Sequence, residues 1–261
     1  MRFLPIFSVF FALLLINRYF IPQNTSKKPL ISIHLDTLRS DYAKESERVM
    51  TAIRVEFGIP QQIWDQYMAD FKQLVAQDTL LNKKPKKVTS KQLIPRLLEE
   101  YGINKNKVHI QKLGGNNQAE AFQDVTDDHI IHCLNINFDW LKTRSAGEQE
   151  AILRHEIQHL LNYDSIEEMY IRWILTDQGY TEQDWKNSAS MTDYYHLREL
   201  RADAFACASN KNMAQSLHDY FCDTMCLNES REEWYTHPRD TVRAQQLALL
   251  HNLNSNYQIL A

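Results

Sequence analysis

The chain has 261 residues, of which 44% are hydrophobic and 24% are charged, and its formal net charge is −4. This is an ordinary globular composition with enough apolar residues for a substantial core, and the length favours one main domain over two. The charge balance excludes the overall basic field that attracts nucleic acid, while only six glycines and seven prolines favour a helix-rich fold.

Residues 1–29 differ from the rest of the chain. An apolar run over residues 3–16 matches the hydrophobic part of a signal peptide, and its extension gives a candidate membrane association through residues 3–21. The polar residues 23–29 then predict a tether. We therefore expect an exported or membrane-anchored protein on the periplasmic or extracytoplasmic side, although the positive charge that follows the run favours a cytoplasmic body.

Residues 30–105 form a predicted helical N-terminal region without an interpretable motif. The periodicity predicts helices at about residues 41–57, 61–77 and 90–101. In the second of these, apolar residues at spacings of three and four form one stripe along the helix. The third is predicted to stop at Gly102, a residue that commonly ends helices.

The periodicity changes at the start of the next predicted domain, residues 106–261. Residues 108–113 alternate apolar and polar side chains as a half-buried strand does, and residues 119–125 and 129–137 predict two further strands. We expect these strands to form a small antiparallel sheet. The chain after Ser145 has helical periodicity, so the expected fold class is α+β, with a mainly helical body.

One predicted helix carries an H-E-x-x-H motif. Ser145 and Glu148 have the spacing of a capping box that opens this helix. His155 and His159 are four residues apart, so their imidazoles converge on one point, as a tetrahedral zinc site needs. Glu156 can reach a water molecule rather than the metal. The motif alone is only suggestive, because a helix with two surface histidines is the alternative.

A catalytic zinc site needs a third protein ligand and an open fourth position. The metzincin pattern is excluded, because Asn162 and Ser165 stand where it requires a glycine and a third histidine. On a later helix, Glu199 can ligate, and Asp203 one turn on can accept a hydrogen bond from a ligand histidine. The alternative interpretation of these two residues is a solvated acidic face.

Three motifs, in this order, resemble the HtpX and CAAX prenyl protease family of gluzincin metallopeptidases. They are H-E-x-x-H at residues 155–159, E-x-x-A-D at residues 199–203 and H-P-x-x-x-x-R at residues 237–243. The resemblance extends over roughly residues 107–250, and the three motifs are specific when they occur together.

The resemblance implies a zincin-like domain with one zinc ion per chain. The ligands would be His155, His159 and Glu199. Asp203 would be the partner of a ligand histidine, His237 would stabilise the oxyanion of the tetrahedral intermediate, and Arg243 would brace the site. The strand at residues 129–137 would be the sheet edge to which an extended substrate adds.

The chain departs from the family pattern in two places. Family members usually read N-A-F before the edge strand, whereas this chain has Glu120, Ala121 and Phe122. Many members also carry a hydrophobic hairpin between the second histidine and the ligand glutamate. Here that interval is too polar to lie in lipid, which indicates a soluble or singly anchored relative and weakens the case for prenylated or membrane substrates.

These observations predict a zinc-dependent endopeptidase that acts on a protein or peptide, with Glu156 as general base. The alternative is a catalytically silent zinc-binding scaffold with a peptidase-like fold. Glu156 argues against that alternative, since a structural site needs no base and normally has four protein ligands. An aminopeptidase is disfavoured because no G-x-M-E-N segment occurs, and no nucleic-acid partner is expected.

Overall fold

A computed structural model of the chain describes residues 35–82, 88, 90–114, 118–126, 129–208, 210–226 and 236–253. The predicted signal or anchor segment and tether, residues 1–29, lie outside the described residues. No helix within these ranges combines the length and the apolarity that crossing a membrane requires.

Among the described residues, three helices precede the sheet, in the three regions that were predicted to be helical. Helix α1 (Leu35–Glu56) begins earlier than predicted, and helix α2 (Gln61–Gln77) has the predicted bounds. Helix α3 (Leu93–Glu100) begins later than predicted, because the backbone at Gln92 is still extended. Gly102 ends this segment at φ +70°, a conformation that glycine adopts without the strain that a Cβ atom causes.

The sheet is mixed, and the prediction of an antiparallel sheet was wrong for one of its two pairings. Its strands are β1 (Val108–Lys112), β2 (Ala119–Thr126) and β3 (His129–Ile136), in the order β1-β3-β2. Strand β3 pairs antiparallel with β2 and parallel with β1. The short link between β2 and β3 makes them neighbours, so β1 takes the other side of β3, where Val108 joins the core.

This order also corrects the predicted sheet edge. Strand β3, which covers the predicted segment 129–137, is central and has a partner on each side, so no further strand can add to it. Strand β2 is an edge strand, and no strand among the described residues pairs with its outer side. An extended partner beside the candidate site would therefore pair with β2.

The part of the chain after the sheet is helical, as predicted. Short helices alternate with the long helices that carry the motifs. The helices are α4 (Phe138–Leu141), α5 (Ala146–Asn162), α6 (Asp164–Asp177), α7 (Glu182–Lys186), α8 (Ala189–Cys207), α9 (Lys211–Cys226) and α10 (Asp240–His251). Together with the mixed sheet they make an α+β fold.

Helix α5 is the central element that carries the H-E-x-x-H motif. The predicted capping box is present: the Ser145 hydroxyl accepts from the Glu148 N–H at 3.3 Å, and the Glu148 carboxylate accepts from the Ser145 N–H at 2.7 Å. Leu153, Ile157 and Leu160 of this helix are fully buried against the sheet and α3. A capped helix with one face in the core is a rigid support for a site.

The N-terminal helices contribute to the core behind the site. Leu38, Tyr42 and Ile53 of α1 are buried in one cluster with residues of α6 and α8. The Tyr42 hydroxyl also donates a hydrogen bond to the Leu200 carbonyl at 3.1 Å. Helix α1 therefore supports α8, the helix that carries Glu199.

Candidate metal centre

Two histidines of α5 face the same point. His155 and His159 lie one turn apart and are 6% and 7% exposed. Their Nε2 atoms are 3.0 Å apart, and the two rings are nearly perpendicular at 82°. The spacing of four residues therefore brings the two imidazoles together on one side of the helix, as expected from the sequence.

Glu199 of α8 completes the group. Helix α8 packs against α5, and the Glu199 carboxylate is buried. Its Oε2 lies 3.5 Å from His155 Nε2, and its Oε1 lies 3.5 Å from His159 Nε2. Two ligand atoms at about 2.0–2.1 Å from a tetrahedral zinc ion lie about 3.4 Å apart. The observed separations of 3.0 and 3.5 Å fit such an ion.

The outer nitrogen of each imidazole is held by a buried aspartate. His155 Nδ1 lies 2.8 Å from an oxygen of Asp203, and His159 Nδ1 lies 2.6 Å from an oxygen of Asp164. A neutral imidazole that donates its Nδ1–H to a carboxylate carries a lone pair on Nε2. Two such lone pairs facing each other repel, so the arrangement requires a cation or a proton between them.

Two arginines balance the charge of these aspartates. Arg243 donates to both oxygens of Asp203, at 2.7 and 2.8 Å, and its third nitrogen lies 3.3 Å from Glu199. Arg201 pairs with Asp164. Because a buried carboxylate is costly unless it is paired, the arginines allow these two aspartates to stay ionised behind the histidines.

The charges around the ligands also set their protonation. Burial raises the pKa of Glu199, but the charge of His159, the hydrogen bond with His155 and the charge of Arg243 together lower it well below its usual range. Burial lowers the pKa of His155, but Asp203 and Glu199 raise it to about 10. The carboxylates around these side chains thus favour positive charge at the site.

Glu156 lies beside the ligands but outside the group of ligand atoms. Its carboxylate accepts a hydrogen bond of 2.7 Å from the backbone N–H of Ala121 in β2. It lines the same cleft as His155, His159 and Glu199. This carboxylate therefore lies between the candidate ligand group and strand β2.

His237 also lines the cleft. Its Nε2 is 3.8 Å from a Glu199 oxygen, and its Nδ1 is 2.8 Å from the Thr236 hydroxyl. In the tautomer in which Nδ1 accepts from the Thr236 hydroxyl, the ring proton is on Nε2, where it can be donated to a molecule in the cleft. The His237 side chain is 36% exposed, so a molecule in the cleft can reach it.

The structure brings the predicted site residues together. Those that line a cleft of about 300 Å³ are His155, Glu156, His159, Glu199, His237 and Arg243. Asp203 lies directly behind them, on His155. Asp203 thus contacts one of the two histidines of the H-E-x-x-H motif.

Sequence reasoning missed the second aspartate and its arginine. Asp164 follows α5 after Tyr163, whose positive φ of 57° reverses the chain direction and brings the carboxylate back to His159. An acidic residue five positions after the second histidine was the available signal. Its pairing with Arg201, 37 positions away, depends on the packing of two helices and has no local pattern.

The chain matches no family model, no curated protein and no solved structure. The geometry alone therefore defines the class of site. It is a buried group of His155, His159 and Glu199 that could hold a metal ion, within an α+β fold.

Proposed function

We propose that this protein is a zinc-dependent endopeptidase with a zincin-like fold of the gluzincin type. The observation that carries the proposal is the position of Glu156. Its carboxylate lies next to the three metal-ligating side chains and is held by the backbone of an edge strand. A candidate proton acceptor thus lies between a metal position and a surface on which an extended peptide can bind.

The ligand set favours zinc in a catalytic role. Two imidazole nitrogens and one carboxylate are the donors of known peptidase zinc sites, which leave the fourth position open. A structural zinc site normally has four protein ligands, whereas His155, His159 and Glu199 are three. The aspartates on both histidines are also typical, since they fix the tautomer and raise the basicity of the ligand.

The free edge of β2 is the proposed binding surface for a substrate backbone. The Ala121 N–H points toward Glu156 and therefore away from β3. Because backbone groups alternate along a strand, Ala119 presents its N–H and C=O on the same side. An extended peptide can thus add to β2 as a further strand, which replaces the expectation that it adds to β3.

The proposed reaction is hydrolysis of a peptide bond. Zinc, when bound, supplies a Lewis acid that lowers the pKa of a water molecule toward about 7 and polarises the scissile carbonyl. Glu156 accepts a proton from the attacking water as the new C–O bond forms. It then delivers that proton to the amide nitrogen as the C–N bond breaks, so the products are a carboxylic acid and an amine.

Two further residues have proposed roles in this reaction. The His237 Nε2–H donates to the oxygen that becomes negative as water adds to the carbonyl carbon. Arg243 acts through other residues: it contacts Asp203 and Glu199 and so holds two of the groups that orient the metal. It is a positioning residue.

The proposal is tested by removing the metal and returning it. The full-length protein should cleave casein, lose this activity on treatment with a zinc chelator and regain it when zinc is added. Magnesium should not restore activity, because it prefers six oxygen ligands. Cleavage that survives complete metal removal, or folded zinc-loaded protein without any cleavage, would contradict the proposal.

A further inference from the structure

The side chains of β2 alternate between the two faces of the sheet. Gln123 is buried and donates a hydrogen bond to the Leu160 carbonyl of α5, so it lies on the face that packs against the helices. Ala121 shares that face, because successive side chains of a strand point to opposite faces. Glu120 and Phe122 therefore lie on the outer face of the sheet, and both are exposed.

The carboxylate of Glu120 forms no ion pair with any of the described residues. One of its oxygens accepts a hydrogen bond of 2.9 Å from the side chain of Asn135, which is neutral and belongs to the neighbouring strand β3. Glu120 also borders the cleft that contains the candidate ligand group. It therefore places a negative charge beside the edge to which the proposed substrate adds.

Phe122 presents an apolar surface at the same edge. Its side chain is 47% exposed, although removing an aromatic ring from water is favourable. Its neighbour on β3 is Cys133, and no described strand lies on its other side. A strand that adds to β2 would place a side chain against this open flank of the ring.

The hydrogen bond between Ala121 and Glu156 relates this edge to the bond that is cut. The proposed proton acceptor lies beside Ala121, so the bond that is cut adjoins the peptide residue opposite Ala121. Antiparallel pairing is the commoner way for strands to pair, and a peptide that pairs in this way runs against the direction of β2. Its residue opposite Phe122 then precedes the cut, and its residue opposite Glu120 follows the cut. Each of these is the first or the second residue from the cut.

We infer that Glu120 and Phe122 select the substrate by cross-strand pairing, with a lysine or arginine opposite Glu120 and an apolar side chain opposite Phe122. This inference rests on the proposed peptidase function. Side chains directly opposite each other on two strands lie on the same face, with Cβ atoms about 4.5–5.5 Å apart. The substrate is thus an extended segment in which an apolar residue stands two positions before a basic residue, and the cut lies between the two.

The exposure of this face sets the size of the preference. Opposite charges directly across two strands stabilise the pairing, and like charges destabilise it. Both charged groups stay in contact with water, so the pair contributes much less than a buried pair does. We therefore expect lysine to be preferred over glutamine opposite Glu120 by about two- to fivefold, with the preference weakened by salt.

The inference is tested by mapping cleavage sites. Full-length zinc-loaded protein is incubated with an unbiased synthetic peptide library, and the new termini are sequenced by mass spectrometry. At the first or second position after the cut, lysine and arginine should exceed aspartate and glutamate by about fivefold. Apolar residues should be enriched two positions before that basic residue. The basic preference should fall by at least about half when NaCl is raised from about 0.05 M to about 0.5 M.

Variants of Glu120 then assign the preference to its charge. Glu120→Gln keeps an acceptor for Asn135 but removes the charge, so lysine and glutamine should become equally frequent at this position. Glu120→Lys should reverse the preference toward aspartate and glutamate. Glu47→Gln, at an exposed position of α1 outside the cleft lining, is the matched control and should keep the wild-type pattern. Zinc content should be the same in every variant, since Glu120 is not a candidate ligand.

The two proposals fail in different ways. Zinc-dependent cleavage without a basic preference after the cut, or with one that Glu120→Gln preserves, would overturn the inference and leave the peptidase proposal in place. The absence of cleavage in the library by folded zinc-loaded protein would overturn both. A preference that Glu120→Gln removes and Glu47→Gln preserves would establish Glu120 as a specificity-determining residue. Should Glu120→Lys fail to fold, Glu120→Gln and the salt dependence still decide.

Discussion

The backbone N–H of Ala121 donates a hydrogen bond of 2.7 Å to the carboxylate of Glu156. This contact joins the helix that carries two of the three ligand side chains to the edge of the sheet. The donor is a backbone N–H, so the strand itself fixes the orientation of the Glu156 carboxylate. The candidate base, the two candidate ligand histidines and the proposed substrate edge are thus held in one arrangement by α5 and β2.

Loss of a ligand should abolish metal binding. We expect wild-type protein to hold one zinc ion per chain and His159→Ala to hold less than about a tenth of that, because two remaining ligands do not form a stable site. Elemental analysis of folded, desalted protein measures this stoichiometry. His109→Ala, at an exposed position of β1, is the matched control and should keep its zinc. Equal zinc in His159→Ala and the control would exclude His159 as a ligand.

The aspartate behind His159 should affect metal affinity without removing the site. Asp164→Asn takes away the charge that orients His159 and pairs with Arg201. We expect the zinc dissociation constant to rise by about 10–100-fold, as measured by competition with a chromogenic chelator. Asp65→Asn, on the exposed face of α2, should have no effect. An unchanged affinity in Asp164→Asn would mean that this contact does not tune the ligand.

His237 should act on turnover and not on metal content. We expect His237→Ala to keep one zinc per chain and to lower kcat by about 10²–10³-fold, because one donor to the developing oxyanion is lost. Steady-state kinetics on a peptide with a single cleavage site measure this, with zinc content measured on the same sample. A change confined to KM, with kcat preserved, would be inconsistent with the proposed role.

A hydrogen-bond network around Asp78, at the C-terminal end of α5, should make stability depend on pH. Burial raises the pKa of Asp78, but hydrogen bonds from His132 at 2.9 Å and Tyr163 at 2.8 Å lower it overall. A lowered folded-state pKa contributes stability above the ordinary aspartate value of about 3.9, and this contribution is lost as the pH falls through the folded value.

Asp78→Asn tests that network. At pH 7 it should reduce the free energy of unfolding by about 1–3 kcal/mol, because the His132 and Tyr163 donors lose an ionised partner in the interior. In urea titrations the difference from wild type should shrink as the pH is lowered below about 3.9. Asp70→Asn, at an exposed position of α2, is the control. A difference that does not vary with pH would argue against an ionised Asp78 in the network.

The sequence predicted the residues of the candidate site more completely than it predicted the order of the strands. The positions of His155, His159 and Glu156 follow from helical periodicity, which is local. Asp203 was found in the same way, since it lies one turn after Glu199 on α8. These residues meet because α5 and α8 pack against each other.

The sheet order could not be read from the strand patterns. Alternation reports which side chains are buried but not which strands are neighbours. It therefore did not reveal that β3 is central or that β1 runs parallel to it. The pairing of Asp164 with Arg201 could not be predicted for a related reason: contacts between distant positions leave no periodic signal in the sequence.

The central claim is that Glu156 is the proton acceptor of a zinc peptidase, and one measurement tests it most directly. Zinc content and casein cleavage are determined together for wild type, Glu156→Gln and the exposed control Glu47→Gln. We predict one zinc per chain in all three, with cleavage reduced at least about 10²-fold only in Glu156→Gln. Wild-type cleavage by zinc-loaded Glu156→Gln would contradict the claim.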